Sequence, residues 1–254
     1  MRAPTVCFTV DYEPDCPPYL AGTYRGVEEA TIPLLGVLKE LGVPATWFST
    51  GEVAERYPDA LRAIVAEGHE LGCHGHTHRR FDRMTGAEAA GEIDAASGVL
   101  RAIAPVTSFR APNLALPDAH VPLLRAAGYA LDSSHAKYKA PYWRDRIRPA
   151  PAAHPPGLLR VPASATSSVL RLARPVRAAY LAALASPVVL FVHPWEFVDL
   201  RRTRLRLDCR FHTGPEAFRR LRQVLGAYRR RGARFLTLRD YAREAAGRPA
   251  PTPA

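Results

Sequence analysis

The sequence predicts an α/β fold in which helices cover a parallel sheet, closed as a barrel or wound as an open sheet. Three observations predict it. Short apolar, β-branched runs alternate with segments of helical periodicity along the chain. Ionisable residues stand at the C-terminal ends of those runs, the edge where parallel sheets build sites. The length, 254 residues of which 47% are hydrophobic and 23% charged, suits one substantial core.

The first run, TVCFTVD from Thr5 to Asp11, is apolar throughout and reads as a buried strand. GVEEATIPLLGVLKELG follows with helical spacing, acids in its first turn and a glycine, Gly42, at its end. PATWFST is the next strand. YPDALRAIVAEGH is a helix with Pro58 in its first turn, and ELGCH a short strand. The helix AEAAGEIDAASGVLRAIA, the strand end SFRAP, the helix DAHVPLLRAAG and the strand YALDSS continue the alternation. GLLRVPAS and VVLFVHP read as strands, GPEAFRRLRQVLGAYRRRG as a helix, ARFLTL as a strand and RDYAREAAG as a helix. The stretch YKAPYWRDRIRPAPAAHPPG is Pro-rich and reads as a long loop over a site. Residues 1–246 are expected to form a single domain and residues 247–254 a disordered Pro-rich tail.

Composition narrows the function classes. No apolar run reaches the roughly 18–20 residues of a membrane span. The N-terminus MRAPTVCFTVDYE lacks the long apolar segment of a secretory signal, so the expected location is cytoplasmic. Cys7, Cys16, Cys73 and Cys209 are scattered without a CxxC pair and read as free thiols of a reducing compartment. The net charge is +11, with much of the excess as arginine in the second half. That excess reads as a solvated face, as contact with an anionic substrate or membrane surface, or as nucleic-acid binding. No nucleic-acid module accompanies the basic runs and aromatic residues do not interleave them, so nucleic acid ranks last.

Candidate chemistry sits at the strand ends. Asp11 and Glu13 follow the first strand, His74 and His78 the strand ELGC, Arg110 the run SF, Asp132 the run YAL and His193 the run VVLFV. His74 and His78 are four apart with small residues between them. Two imidazoles and one carboxylate make a three-ligand site open to water, the pattern of catalytic zinc. The helical metalloprotease motif needs Glu after its first His, and here Gly75 stands there. A histidine-rich polar loop is the other reading of the cluster, and His76 reads as a supporting neighbour. Asp11 and Glu13, two apart at a strand end, can face one side. Asp15 is a further candidate ligand.

The ordered set TVDYE, ELGCHGHTH, SFRAPN, YALDSS and LFVHPWEF resembles the five motifs of the NodB-homology polysaccharide deacetylases, carbohydrate esterase family 4. The later HPWEF, HTG and RFLTLRDY resemble an exopolysaccharide-associated HPWE subgroup. The stretch TYRGVEEATIPLLGVLKELGVPATWF is similar to lipid-linked aminoarabinose deformylases of the same superfamily. The resemblance implies a distorted (β/α) barrel of about seven parallel strands, the NodB-like deacetylase fold. It implies Asp11 as catalytic base, Arg110 as the residue that orients it, and His193 as general acid with Asp132 as its partner or part of the groove. It implies His74 and His78 as metal ligands. The family's first motif commonly has two adjacent acids, and here the adjacent position is Tyr12, so branches with the ligand two residues on nominate Glu13. Tyr12, through its backbone N–H as an oxyanion donor, Pro112, Asp132, Trp195 and Glu196 fall in the substrate-contact positions. Trp195 suits a sugar platform or a buried aromatic.

The activity implied is metal-dependent removal of an N-acyl group, acetyl before formyl, from an amino sugar in a polysaccharide, glycolipid or sugar intermediate. The cofactor implied is a divalent metal ion, zinc first, with cobalt or another divalent ion as substitutes. The implied partner is an amino-sugar substrate, anionic or lipid-linked, with peripheral membrane contact and no nucleic acid. The alternatives are a non-sugar amide or cyclic-amide hydrolase of the superfamily, and a carbohydrate-binding relative without catalysis.

Overall fold

β1 (Thr5–Tyr12) organises the chain. Its side chains alternate, so Cys7, Thr9 and Asp11 share one face while Val6, Phe8, Val10 and Tyr12 share the other. Seven of its eight residues are buried, which is why the run reads as uniformly apolar. The computed structural model describes residues 3–20, 22–136 and 157–246.

The first helix opens with one wide π turn, Gly26–Ala30, and continues as α1 (Thr31–Leu41), ending at Gly42 as the sequence predicts. Then come β2 (Ala45–Ser49), α2 (Gly51–Arg56), α3 (Pro58–Ala66) and β3 (Glu70–Cys73). α4 (Gly86–Arg101) starts at a reciprocal cap between Thr85 and Glu88. β4 (Ser108–Phe109), α5 (Val121–Ala126) and β5 (Leu131–Asp132) complete the first half. The second half holds β6 (Leu159–Arg160), β7 (Ala165–Thr166), α6 (Arg174–Ala182) and β8 (Val188–Val192). It closes with α7 (Leu207–Arg210), α8 (Pro215–Arg230), β9 (Arg234–Phe235) and α9 (Leu238–Ala246).

All strand pairs are parallel, in the order β6-β5-β4-β3-β2-β1-β8-β7, with β9 added to β1. β6 and β7 belong to one stretch, which pairs with β5 at its start and with β8 at its end. A bridge between Ala136 and Ala163 joins its middle to the chain after β5. One bent segment therefore completes the circuit, and the sheet is a distorted (β/α) barrel with about seven positions around it. Cys7, Phe48, Leu131, Val161, Val189 and Leu238 form one buried cluster. The larger core packs Phe8, Val10 and Tyr12 against the helices, with Leu34, Leu38, Trp47 and Val224.

The expected strand at residues 157–164 is split because it changes partner midway. The expected strand at 233–238 is shortened. The Thr237 hydroxyl accepts from Asp240 N at 3.1 Å and starts α9 early. α2, α6 and α7 were not expected. The first and last are six and four residues long, too short for a periodic signal. Residues 138–156 of the Pro-rich stretch and the tail from residue 247 lie outside the described residues. Among the described residues, no helix is long and apolar enough to cross a membrane.

At the N-terminal end of the strands, buried Glu70 ties four elements together. It accepts from Thr46 Oγ1 at 2.7 Å, Ser108 Oγ at 2.5 Å and Arg239 N at 2.9 Å. Thr46 Oγ1 in turn accepts from Leu238 N. β2, β3, β4 and the start of α9 thus share one carboxylate. Glu70→Ala strands these donors, and stability is expected to fall by about 3 kcal/mol. Urea denaturation checks it; an unchanged midpoint contradicts this role.

Candidate active site

The C-terminal ends of β1, β3 and β8 surround a cleft of about 260 Å³. Asp11, Glu13, His74, His78, His193 and Trp195 all line it. Strand parity explains the two acids. Asp11 lies on the inward face of β1, and Glu13, two residues on, keeps that side. His74 and His193 are the first residues past β3 and β8.

Glu13 stands at the centre. Its Oε2 is 2.6 Å from His78 Nε2 and 3.3 Å from His74 Nε2, and its Oε1 is 3.8 Å from His193 Nε2. His74 Nδ1 lies 2.7 Å from the carbonyl oxygen of Arg110. A carbonyl only accepts, so Nδ1 donates and, in the neutral ring, Nε2 turns its lone pair toward Glu13. Two acceptors so placed call for a positive charge between them. Glu13, His74 and His78 offer ligand atoms within 4.8 Å of one another. Two imidazoles and a carboxylate suit a divalent ion such as zinc, and the donor set therefore fits the metal that the sequence implies.

The charges respond to this crowding. Burial pushes the Glu13 carboxyl up, but the charges of the neighbouring His78 and His193 hold it well below the usual range. Burial pulls His78 down, and the Glu13 carboxylate more than reverses it. Burial also lowers His193, yet Glu13 and Glu196 raise it to about 9.

Neighbours fix the histidine loop. His78 adopts φ +58°, a left-handed conformation that folds its ring back toward Glu13. Glu92, on the buried face of α4, accepts from His76 N at 2.9 Å, Thr77 N at 3.0 Å and Thr77 Oγ1 at 2.6 Å. The first N–H groups of α2 hold the other side: Gly51 N donates to Gly75 O and Glu52 N to His76 O. The His76 ring lies against Gly51, where a Cβ would collide with the imidazole. His76 thus props the loop and stands outside the Glu13 cluster.

Asp11 and Arg110 form a buried pair at 2.6 Å. The Arg110 guanidinium also donates to Thr9 Oγ1 at 2.7 Å and Ser133 Oγ at 3.0 Å, and lies 4.3 Å from the centre of the Phe48 ring. Every contact fixes its plane, so the Asp11 carboxylate is fixed too. On the far wall, His193 Nδ1 meets Glu196 Oε1 at 3.2 Å. Ser167 Oγ and Arg171 hold that same carboxylate. The indole of Trp195 stacks on His193, centroids 5.1 Å apart. Pro194 and Trp195 press on the turn at Gly26, where a Cβ would collide with the Trp195 backbone.

Several expected contacts lie elsewhere. The Tyr12 side chain is fully buried on the outward face of β1, its hydroxyl 2.7 Å from Thr31 Oγ1, so it does not reach the cleft. Asp132 is not the partner of His193. Arg160 Nε and Ser134 N saturate it, and Glu196 takes that place because it sits three residues on in the same turn. Glu196 is buried behind His193, and Pro112 is buried beside Gly75. Asp15 accepts from Thr23 Oγ1, Arg25 N and Gly26 N, all at 2.8 Å, which commits it to the turn before α1. Trp195 borders the cleft but is only 7% exposed. The four cysteines are free, and Cys16 and Cys209 both line the cleft. Sequence reading passed over Glu92, Gly51 and Ser167. Only Glu92 left a signal, an acid on the stripe Ala89, Ile93, Ala96, Leu100 that α4 buries.

The family model for polysaccharide deacetylases matches residues 1–131. A peptidoglycan deacetylase of Helicobacter pylori is 42% identical over 65 residues, 25% of this chain and 22% of that protein. A chitooligosaccharide deacetylase of a Bradyrhizobium species is 39% identical over 72 residues, 28% of this chain and 33% of that protein. The matched stretches thus span a third or less of these relatives. A crystal structure from Mycobacterium smegmatis assigned to the polysaccharide deacetylases superposes with a TM-score of 0.70 at 19% identity, covering 100% of this chain and 96% of that one. The fold is the NodB-like deacetylase barrel, and the chain belongs to the polysaccharide deacetylase family.

Proposed function

We propose that the protein is a metal-dependent hydrolase that removes an N-acyl group, acetyl first, from an amino sugar. One observation carries this reading. Glu13, His74 and His78 converge in a cleft that also holds an arginine-clamped carboxylate and a carboxylate-clamped imidazole.

Glu13, His74 and His78 are the ligands in this reading, and a divalent ion there, zinc or cobalt, supplies Lewis acidity. Asp11 is the base. Arg110 occupies its Oδ1, which leaves Oδ2 to take the proton of the attacking water. His193 Nε2 faces the cleft while Glu196 holds Nδ1, so Nε2 delivers the proton to the departing nitrogen. The C–N bond breaks, and the products are a carboxylic acid and a free amine. Trp195 keeps the His193 ring in plane and offers its edge to a sugar.

The relatives named above act on peptidoglycan and chitooligosaccharides, which supports an amino-sugar substrate. We take it to be a polymer or an anionic or lipid-linked intermediate, handled by a single domain over residues 1–246. The HPWEF run favours the exopolysaccharide-associated HPWE branch. The unpaired cysteines favour a cytoplasmic site of action.

Zinc-loaded protein is expected to release acetate from N-acetylglucosamine oligomers. A chelator should abolish release, and zinc or cobalt should restore it. Asp11→Asn should lower kcat by about 10²–10⁴ while zinc stays bound. Turnover undiminished in that variant would show that another group is the base. Gly51→Ala should weaken zinc about tenfold or more, because the methyl group displaces His76 and its loop. Competition with a chromophoric chelator measures this, and Gly86→Ala, which meets open space, is the control. Equal affinities in the two variants contradict the propping role of Gly51.

A further inference from the structure

The mouth of the cleft is bordered by a surface of which the hydrolytic site uses only Ser167 and Arg171, which hold Glu196. Two segments make it, residues 167–182 and 199–213. Thr166, just before the first, and Cys209, inside the second, both line the cleft. The two segments contain eight arginines against two aspartates. Arg202 and Arg204 are exposed and make no ion pair among the described residues.

The same surface carries bare apolar side chains. Six large apolar side chains stand exposed among the described residues, and five are here: Tyr19 at 52%, Leu172 at 36%, Val176 at 56%, Leu207 at 67% and Phe211 at 47%. Contacts join Tyr19, Leu172, Leu207 and Phe211 into one face. Tyr19 lines the cleft and its hydroxyl meets Arg206 Nη1 at 3.4 Å. Arg220 donates to the carbonyl of Leu172 and meets His212, next to Phe211. Beside them a cavity of about 570 Å³ opens between Leu207, Phe211, Arg201 and Arg210, and the buried Nε of Arg210 has no hydrogen-bond partner among the described residues.

Protruding apolar side chains set beside the exposed Arg202 and Arg204 match a bilayer interface. The apolar tips enter the headgroup layer, and the guanidinium groups stay at the level of lipid phosphates. A folded protein partner fits less well, because the apolar residues alternate with cations along both segments and form no continuous apolar strip. We propose that this face docks on an anionic lipid bilayer and turns the cleft toward it. Docking rests on exposure and charge alone; that a lipid-linked amino sugar is what the cleft meets there rests on the deacylase reading.

Sedimentation with vesicles tests it. The full chain is expected to pellet with vesicles of phosphatidylcholine mixed with phosphatidylglycerol about tenfold more strongly than with phosphatidylcholine alone, and added salt should weaken the binding. Leu207→Asp with Phe211→Asp, and separately Arg202→Glu with Arg204→Glu, should each reduce binding about tenfold. Both double variants should keep the wild-type urea midpoint and cleave a soluble chitooligosaccharide as the wild type does. If no form cleaves the oligosaccharide, the deacylase reading fails while the vesicle result still decides docking. Failure to pellet with anionic vesicles overturns the proposal. So does undiminished binding by the Leu207/Phe211 variant, or duplex DNA binding as tight as vesicle binding, since either marks adsorption to any polyanion.

Discussion

Three electron-pair donors face one another in a buried pocket. Glu13, His74 and His78 present a carboxylate oxygen and two ring nitrogens to the same small space, the first two buried and His78 partly so. A positive charge between them reconciles the arrangement, and the surrounding structure is built to hold the three in place. β1 and β3 bring them to one edge. The Arg110 carbonyl sets the tautomer of His74, and the same residue's guanidinium clamps Asp11. One residue at the end of β4 thus orients both the candidate ligand and the candidate base. A change there is felt on both sides of the reacting centre.

Much of this was legible in the sequence. Acids and histidines at the ends of apolar runs marked the edge of a parallel sheet. The spacing of Asp11 and Glu13 put them on one side, and the pair His74 and His78 stood out as ligands. The same parity also places Tyr12 outside the barrel, against α1, where its neighbours in the sequence hid it among site residues. The partner of His193 was misplaced for a different reason. Asp132 lies on β5, where Arg160 and the backbone N–H of Ser134 engage it, whereas Glu196 is three residues from His193 in the same turn.

The supports were least legible. Gly51 acts through the absence of a side chain, and nothing in GEVAER announces that an imidazole will lie over it. Glu92 is a charge on a buried helical stripe, a visible anomaly whose target, the backbone of His76 and Thr77, depends on tertiary packing. Barrel closure was also hidden. A single stretch changes partners between β5 and β8, so it reads as one strand while serving two. The arginine excess was visible from the start. Its meaning required knowing which apolar side chains stand among those cations, and only the fold supplies that.

Crystals of the zinc-loaded protein, measured on both sides of the zinc absorption edge, test the account most directly. It predicts one strong anomalous peak bounded by Glu13 Oε2, His74 Nε2 and His78 Nε2. A map with no peak there, or with the two imidazoles turned apart, contradicts it.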